Sequence, residues 1–230
     1  MHVTGRLATG DCRKNIHVWN IKEGTSWNVE QRPYSKHKAS VEDIQWSPSE
    51  ADVFASCSSD KSIRIWDARS SPADACVMTV DDAHESDVNV ISWNRKDTLL
   101  LSGGDDGVLK IWDLRIIKKK TSVARFKHHT SPITSVQWYP HDSTVFAASA
   151  EDDQLTVWDL AVEPDEGESS GMSDDDKTAS PAKLSGIPPQ LLFIHQGQKE
   201  IKELRWFSQL PGLIASTSLS GFNVFRTISV

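Results

Sequence analysis

Histidine, aspartate and serine recur along the chain in sets whose members could do chemistry together. The sets, each with a tryptophan six residues after the aspartate, are His37, Ser56, Asp60 and Trp66; His84, Ser102, Asp106 and Trp112; and His129, Asp152 and Trp158. In many hydrolases a serine is the nucleophile, a histidine is the general base and an aspartate orients the histidine. A catalytic set does not repeat along a chain, however, and these sets do. The repetition favours structural networks, in which buried imidazole and carboxylate groups satisfy each other, and it predicts no catalytic residue.

Two acidic stretches could be taken for metal ligands. The pair 105–106 (Asp-Asp) follows the glycine pair 103–104, and residues 151–153 (Glu-Asp-Asp) lie one repeat later. We interpret both as hairpin turns, where aspartate is favoured because it bonds to nearby backbone. The glycine pair is also interpreted as a turn, since no Gly-Lys-Ser/Thr of a phosphate-binding loop follows it. The sequence therefore predicts neither a metal nor a cofactor.

The elements that must position these sets recur with the same period. Trp19, Trp66, Trp112 and Trp158 are spaced 47, 46 and 46 residues apart, and Phe225 takes the next equivalent position 67 residues later. A second series of tryptophans ends the first strand of each unit, at Trp46, Trp93, Trp138 and Trp206. Short alternating strands with Gly/Asp turns at this period are typical of the four-stranded blades of a β-propeller.

The repeats resemble the WD-repeat family, because the third strand of several units ends in WD (RIWD, KIWD, TVWD). In that family a histidine, a strand hydroxyl, a turn aspartate and the tryptophan form one hydrogen-bonded network. The resemblance implies this role for the three sets above. In the third set Ala148 takes the hydroxyl position, so that set looks incomplete.

The predicted fold is an all-β WD-repeat propeller with about four and a half blades of an expected seven-bladed ring. Since the chain begins inside a blade, we expect about two and a half blades to precede it. The predicted segments are a partial blade with the following strand at 1–36, repeats at 37–83 and 84–128, three strands at 129–162, an acidic disordered loop at 163–189, and the last blade at 190–230.

The net charge of −7 is unevenly placed. Residues 162–180 hold seven acidic residues against one lysine, which accounts for −6 and leaves −1 for the rest of the chain. This distribution argues against sequence-specific nucleic-acid binding and predicts a basic protein partner. The sequence has no apolar run long enough to span a bilayer, so we expect no membrane partner. Three widely spaced cysteines are typical of reduced thiols.

The acidic segment leads into residues 186–195, GIPPQLLFIH, which resemble the entry to the last blade of the retinoblastoma-binding histone chaperones. In that family an acidic Pro-Pro loop and an N-terminal helix clamp a helix of a core histone. The loop counterparts in this sequence are Asp174, Asp175, Asp176, Pro188 and Pro189. A solvated spacer is the alternative interpretation of this segment.

Longer strings resemble the glutamate-rich WD-repeat family, among them TGDCRKNIHVW, SVEDIQWSP, LSGGDDGVLKIWDLR and LSGFNVFRTISV. The resemblance runs through nearly the whole chain. It implies a nuclear and nucleolar factor in large-subunit ribosome assembly that binds histones and a large-subunit ribosomal protein.

Positions six and four residues before the first-strand tryptophans contact the histone tail in the related chaperones. Of these positions, Glu42, Asp87, Asn89 and Glu200 suit a basic peptide. Ordinary polarity of solvated loops is the alternative interpretation.

A competing function comes from two WDxR motifs, which contain Asp67 with Arg69 and Asp113 with Arg115. Substrate receptors of cullin–RING ubiquitin ligases use such arginines on successive blades to dock their adaptor. Local ion pairing is the alternative interpretation.

Overall fold

The computed structural model describes residues 5–21, 26–163 and 187–227. These residues form eighteen strands and one short 3₁₀ helix at Ile117–Lys119. Period-two alternation of Val, Ile and Leu with polar residues favours strands throughout, because one face of each strand can then be buried. Among the described residues, no helix is long and apolar enough to cross a membrane.

The strands form five antiparallel sheets, each ordered as along the chain. The first sheet contains β1 (Arg6–Gly10), β2 (Ile16–Ile21) and β3 (Trp27–Val29). The second contains β4 (Val41–Trp46), β5 (Val53–Ser58), β6 (Ile63–Asp67) and β7 (Cys76–Val80). The third contains β8 (Val88–Trp93), β9 (Leu99–Gly104), β10 (Val108–Asp113) and β11 (Ala124–Lys127). The fourth contains β12 (Ile133–Trp138), β13 (Val145–Ala150), β14 (Leu155–Asp159) and β15 (Leu191–His195), and the fifth contains β16 (Ile201–Trp206), β17 (Leu213–Ser218) and β18 (Gly221–Arg226).

The fold is therefore an all-β arrangement of antiparallel sheets, as expected of WD repeats. Successive sheets contact each other along β4, β8, β12 and β16, which we call the inner strands. The boundaries of the repeats and the number of blades in the ring stay predictions. The glycine pair 103–104 differs from its interpretation as a turn, because both residues belong to β9. A Cβ on Gly104 would lie 2.7 Å from the Asp87 carbonyl oxygen, so this close backbone approach requires glycine.

The hydrophobic core lies between the sheets. Tryptophan and phenylalanine from one sheet pack on aliphatic side chains of the sheet before it, as Trp112 does on Ile63 and Ile65. Trp66 and Trp158 are fully buried in the equivalent places. The regular spacing of the tryptophans in the sequence thus reflects one packing contact that is repeated from sheet to sheet.

The loops lie at two opposite ends of the strands because neighbouring strands are antiparallel. The end of the strands that carries the turns before β6, β10 and β14, and the connections into the inner strands, is called the upper face. The opposite end, which carries the turns after the inner strands and the connections after β6, β10 and β14, is called the lower face. The candidate binding residues are described below by these two faces.

Candidate functional site

The second and third sheets each hold one complete network of buried polar side chains. His84 Nε2 lies 2.8 Å from Ser102 Oγ, and His84 Nδ1 lies 3.0 Å from Asp106 Oδ1. The indole N–H of Trp112 donates to the same serine oxygen at 2.9 Å. The second sheet repeats the arrangement with distances of 2.7 Å from His37 Nε2 to Ser56 Oγ, 3.1 Å from His37 Nδ1 to Asp60 Oδ2, and 2.8 Å from Trp66 Nε1 to Ser56 Oγ.

The fourth sheet also has a complete network, and it includes a residue that the spacing of the repeats did not predict. Thr156, on β14, replaces the hydroxyl that Ala148 cannot supply. Its Oγ1 lies 2.9 Å from His129 Nε2 and accepts the indole N–H of Trp158 at 2.8 Å. Ala148 and Thr156 are cross-strand partners, which places the threonine hydroxyl beside the missing one. The signal in the sequence is that Thr156 stands where the other two repeats have Arg64 and Lys110.

The fifth sheet has an amide in place of the histidine. Ser216 Oγ donates to Gln198 Oε1 at 2.5 Å, and Gln198 Nε2 donates to Ser218 Oγ at 3.1 Å. Phe225, which has no N–H to satisfy, takes the tryptophan position and stacks on His195 with ring centroids 3.9 Å apart. The sequence analysis proposed no network for this sheet.

Each network aspartate also holds an upper-face loop. The backbone N–H groups of Lys38, Glu85 and Thr130 donate to Asp60, Asp106 and Asp152 at 2.7, 3.1 and 3.0 Å. Burial opposes ionisation of Asp106, but the bond with His84 and the backbone N–H groups outweigh it and hold the pKa at about 2. The histidine side chains of all three networks are 0% exposed, so a substrate cannot reach them in this conformation. The networks bind the sheets and loops into fixed positions.

Three of the four predicted upper-face residues lie on the second and third sheets. The Glu42 side chain is exposed and accepts the hydroxyl of Ser59 at 2.8 Å. Asn89 donates to Asp105 Oδ1 at 2.7 Å and to the carbonyl of Ile133 at 3.1 Å. The Asp87 carbonyl accepts the N–H of Asp105 at 3.0 Å. The structure thus brings Asp87 and Asn89 together around Asp105, a carboxylate that the sequence analysis did not place in a binding surface.

Glu200 lies in a different electrostatic setting. Its carboxylate is 3.7 Å from Lys202 Nζ, which also contacts Glu151 at 3.0 Å. Lys199 Nζ contacts Asp153 at 2.5 Å. The carboxylates of this part of the upper face are therefore matched by lysines, in contrast to Glu42 and Asp87, which have no cation within 4 Å among the described residues.

The acidic-loop residues Asp174, Asp175 and Asp176 lie outside the described residues. Pro188 and Pro189 are described and lead into β15 through a turn, in which the N–H of Leu191 donates to the carbonyl of Pro188 at 3.0 Å. Gln190 Nε2 donates to the carbonyl of Val162 at 3.0 Å. This bond holds the two described ends of the predicted loop together on the lower face.

The two WDxR arginines have the same geometry on successive sheets. Arg69 Nε and Nη2 donate to the two oxygens of Asp67 at 2.8 and 2.7 Å. Arg115 repeats the paired bonds with Asp113, at 2.9 and 2.7 Å. The hydrogen bonds from the arginine hold the pKa of each aspartate at about 2. Both arginine side chains remain more than 60% exposed, so a partner on the lower face can reach them.

Comparisons with known proteins agree with this architecture. A family model described as eukaryotic translation initiation factor eIF2A matches residues 8–161, which contain part of β1 and all of β2 to β14. Ribosome assembly protein rrb1 of Schizosaccharomyces pombe is 44% identical over 228 residues, which cover 97% of this chain and 46% of that protein. Glutamate-rich WD repeat-containing protein 1 of Dictyostelium discoideum is 48% identical over 225 residues, which cover 98% of this chain and 45% of that protein.

A more distant relative is histone-binding protein MSI1 of Saccharomyces cerevisiae, 28% identical over 146 residues that cover 61% of this chain and 34% of that protein. The chain spans about half the length of the first two relatives. The chain belongs to the family that the eIF2A model describes, and it is similar over nearly its whole length to glutamate-rich WD repeat-containing protein 1 and ribosome assembly protein rrb1.

Proposed function

We propose that this chain is a non-enzymatic scaffold that binds basic proteins, namely histones and a large-subunit ribosomal protein, during ribosome assembly in the nucleus and nucleolus. The name of one relative, ribosome assembly protein rrb1, supports ribosome assembly, and the name of another, histone-binding protein MSI1, supports histone binding. The proposal combines these names with the acidic chemistry of the upper face.

The observation that carries the proposal is the local excess of negative charge on the second and third sheets. Glu42, Asp87 and Asp105 have no cation within 4 Å among the described residues. Glu42 and Asn89 also line a cavity of about 170 Å³ whose wall includes the carboxylates of Asp43 and Glu203 and one arginine, Arg205, 3.5 Å from Glu203. Lysine and arginine side chains are long enough to place their stems along such a wall with the charged end beside a carboxylate.

The sheets fix the loops that carry these carboxylates before a partner arrives. Asn89 is fixed by its two hydrogen bonds, and the loop before β8 is fixed by Asp106. A preorganised surface loses less conformational entropy on binding. Exposed ion pairs contribute only about 0–1 kcal/mol each, so the affinity must come from several pairs together. The acidic segment 163–189 would add charge and raise the rate of encounter with a basic partner.

Charge reversal on the upper face tests the proposal. The double variant Glu42→Lys with Asp87→Lys should weaken binding to a histone H3–H4 mixture and to a basic ribosomal protein by about tenfold or more, because it replaces two attractive contacts with two repulsive ones. Binding is measured by isothermal titration calorimetry at fixed salt.

The matched control is Glu50→Lys with Asp74→Lys, which makes the same change of net charge at exposed positions on the lower face. This control should bind within about twofold of the unchanged chain. Equal loss of binding in both double variants would show that net charge alone attracts the partner, and unchanged binding in the first would remove the upper face from the proposal.

A second candidate function is docking of a cullin–RING ligase adaptor through the lower face. The specific observation is that Arg69 and Arg115 repeat one exposed geometry on successive sheets. The double variant Arg69→Ala with Arg115→Ala should abolish copurification of the adaptor while leaving binding of basic proteins unchanged. Retention of the adaptor by this variant would leave local ion pairing as the role of both arginines.

A further inference from the structure

Positively charged side chains gather at the lower end of the inner strands. A cavity of about 270 Å³ lies there between β4, β8 and β12, with Trp46, Trp93, Arg95, Lys96 and Arg205 among its lining residues. A neighbouring cavity of about 840 Å³ shares Trp46, Trp93 and Arg95 with it and reaches Arg6. We call the two together the lower pocket. Among the described residues, no aspartate or glutamate lines either cavity.

The cations of the lower pocket differ in how far they are already paired. Arg6 pairs with Asp52, and Arg205 lies 3.5 Å from Glu203. Lys96 Nζ donates to the carbonyl of His141 at 2.5 Å and has no ion pair within 4 Å among the described residues, although its charge contributes to the lowered pKa of Asp142. The exposed Arg95 side chain has neither a hydrogen bond nor an ion pair with any described residue. The lower pocket therefore offers one unpaired guanidinium, that of Arg95, and the ammonium group of Lys96, which forms no ion pair within 4 Å among the described residues.

The indole groups of the lower pocket also have free donors. The inner-strand tryptophans Trp138 and Trp206 donate their N–H groups to the carbonyls of Ser92 and Gln137, at 2.9 and 3.3 Å. The indole N–H groups of Trp46 and Trp93 have no acceptor among the described residues, and both side chains are only half-buried. A ligand at this place meets hydrogen-bond donors and partly open aromatic rings.

Hydrogen bonds between neighbouring inner strands make this surface rigid. The Gln45 side chain donates to the carbonyl of Ile91 at 2.7 Å and accepts the backbone N–H of Trp93 at 3.0 Å. These two bonds set Trp93 beside Trp46. Asn94 Oδ1 accepts the N–H groups of Lys96 and Asp97 at 2.9 and 3.0 Å. Asn94 Nδ2 also donates to the carbonyl of Ser143 at 2.8 Å. The turn that presents Arg95 is thereby fixed between two sheets, which lowers the entropic cost of binding.

We infer that the lower pocket binds single-stranded nucleic acid without sequence preference. Phosphate groups can form ion pairs with Arg95 and Lys96, and unpaired bases can stack on the exposed parts of Trp46 and Trp93. Proteins that bind single strands combine these two features, a cationic surface and aromatic rings. An acidic peptide would satisfy the cations but would leave the aromatic rings without a planar partner, so nucleic acid fits the surface better.

The test is fluorescence anisotropy of the full chain with a labelled twelve-nucleotide oligouridylate and, in a second arm, an oligothymidylate of equal length. Arg95→Glu should weaken binding by about tenfold or more and reduce the slope of log K against log salt by about one. Arg95 makes no bond to a described residue, so this variant is expected to fold. The two arms distinguish RNA from DNA as the source of the strand.

The matched control is Arg13→Glu, which makes the same charge change at an exposed residue of the turn between β1 and β2, on the upper face. It should bind the oligonucleotide within about twofold of the unchanged chain, as should the double variant Glu42→Lys with Asp87→Lys. Three results would overturn the inference: unchanged binding by Arg95→Glu, an equal loss in Arg13→Glu, or displacement of the oligonucleotide by poly-glutamate at lower concentrations than by unlabelled oligonucleotide.

Discussion

Replacing Thr156 with valine should lower the free energy of unfolding by about 2–4 kcal/mol, a large fraction of the stability of an ordinary domain. Valine has nearly the shape of threonine but no hydroxyl. The variant leaves His129 Nε2 and Trp158 Nε1 buried without their common partner. A buried polar group without a hydrogen bond costs about 1–3 kcal/mol, and two such groups are created here. Urea denaturation followed by circular dichroism measures the change.

Two further variants separate the lost hydroxyl from other effects of the substitution. Thr121→Val makes the same chemical change at an exposed residue, where we expect at most about 0.5 kcal/mol. Ala148→Ser, added to Thr156→Val, restores a hydroxyl at the position that Ser56 and Ser102 occupy in the other sheets. The double variant should regain at least about 1 kcal/mol relative to Thr156→Val. No recovery would mean that the fourth sheet does not use its network as the second and third do.

Stability should also fall steeply in acid, by about 2–4 kcal/mol or more between pH 4 and pH 2. Burial opposes ionisation of Asp60, Asp106 and Asp152, yet the bonds with their histidines and with backbone N–H groups lower the pKa of each, to about 2 for Asp106. The folded chain therefore binds these protons less readily than the unfolded chain does. Their contribution is fully present above the unfolded value of 3.8 and is lost as the pH falls through the folded value. Allowing for solvent screening, Asp60 and Asp106 contribute about 1–2 kcal/mol each, and Asp152 acts in the same direction.

The variant Asp106→Asn measures how much of the loss of stability in acid comes from the Asp106 carboxylate. The amide keeps an acceptor oxygen but cannot titrate, so the stability difference from the unchanged chain should shrink as the pH falls from 4 to 2. Urea denaturation at a series of pH values measures that difference. Asp105→Asn, on the exposed neighbour, controls for loss of a charge in the same turn. A difference that stays constant with pH would exclude the Asp106 carboxylate as a source of the acid loss.

Much of the fold could be predicted because its determinants are local and repeated. The 46-residue period predicted the inner strands that end in Trp46, Trp93 and Trp138, and the structure has strands that end at these residues. Each blade solves the same packing problem with nearly the same residues, so spacing alone locates the strands. The fixed spacing of histidine, aspartate and tryptophan also identified the network members of the second and third sheets, since each network lies within one repeat.

Less of the candidate site could be predicted. Asp87 and Glu200 are equivalent in the sequence pattern, each six residues before its inner-strand tryptophan. Glu200 nevertheless lies 3.7 Å from Lys202, whereas Asp87 has no cation within 4 Å among the described residues. Ion pairing on the upper face depends on side chains from neighbouring sheets, which spacing within one repeat does not report. The lower pocket was missed for the same reason, because Trp46, Arg95 and Arg205 come from three different sheets.

The sequence by itself determined the class of fold, the repeating strands and two complete buried networks. The tertiary structure alone decided that Thr156 completes the third network. In the sequence Ala148 leaves a gap, and only the pairing of β13 with β14 places a hydroxyl eight residues away at the same point in space. The same contacts between strands and sheets decided which acidic residues are neutralised and which cations stay free. Hydrogen bonds and charges act over a few ångströms in space, whereas the sequence fixes only distances along the chain.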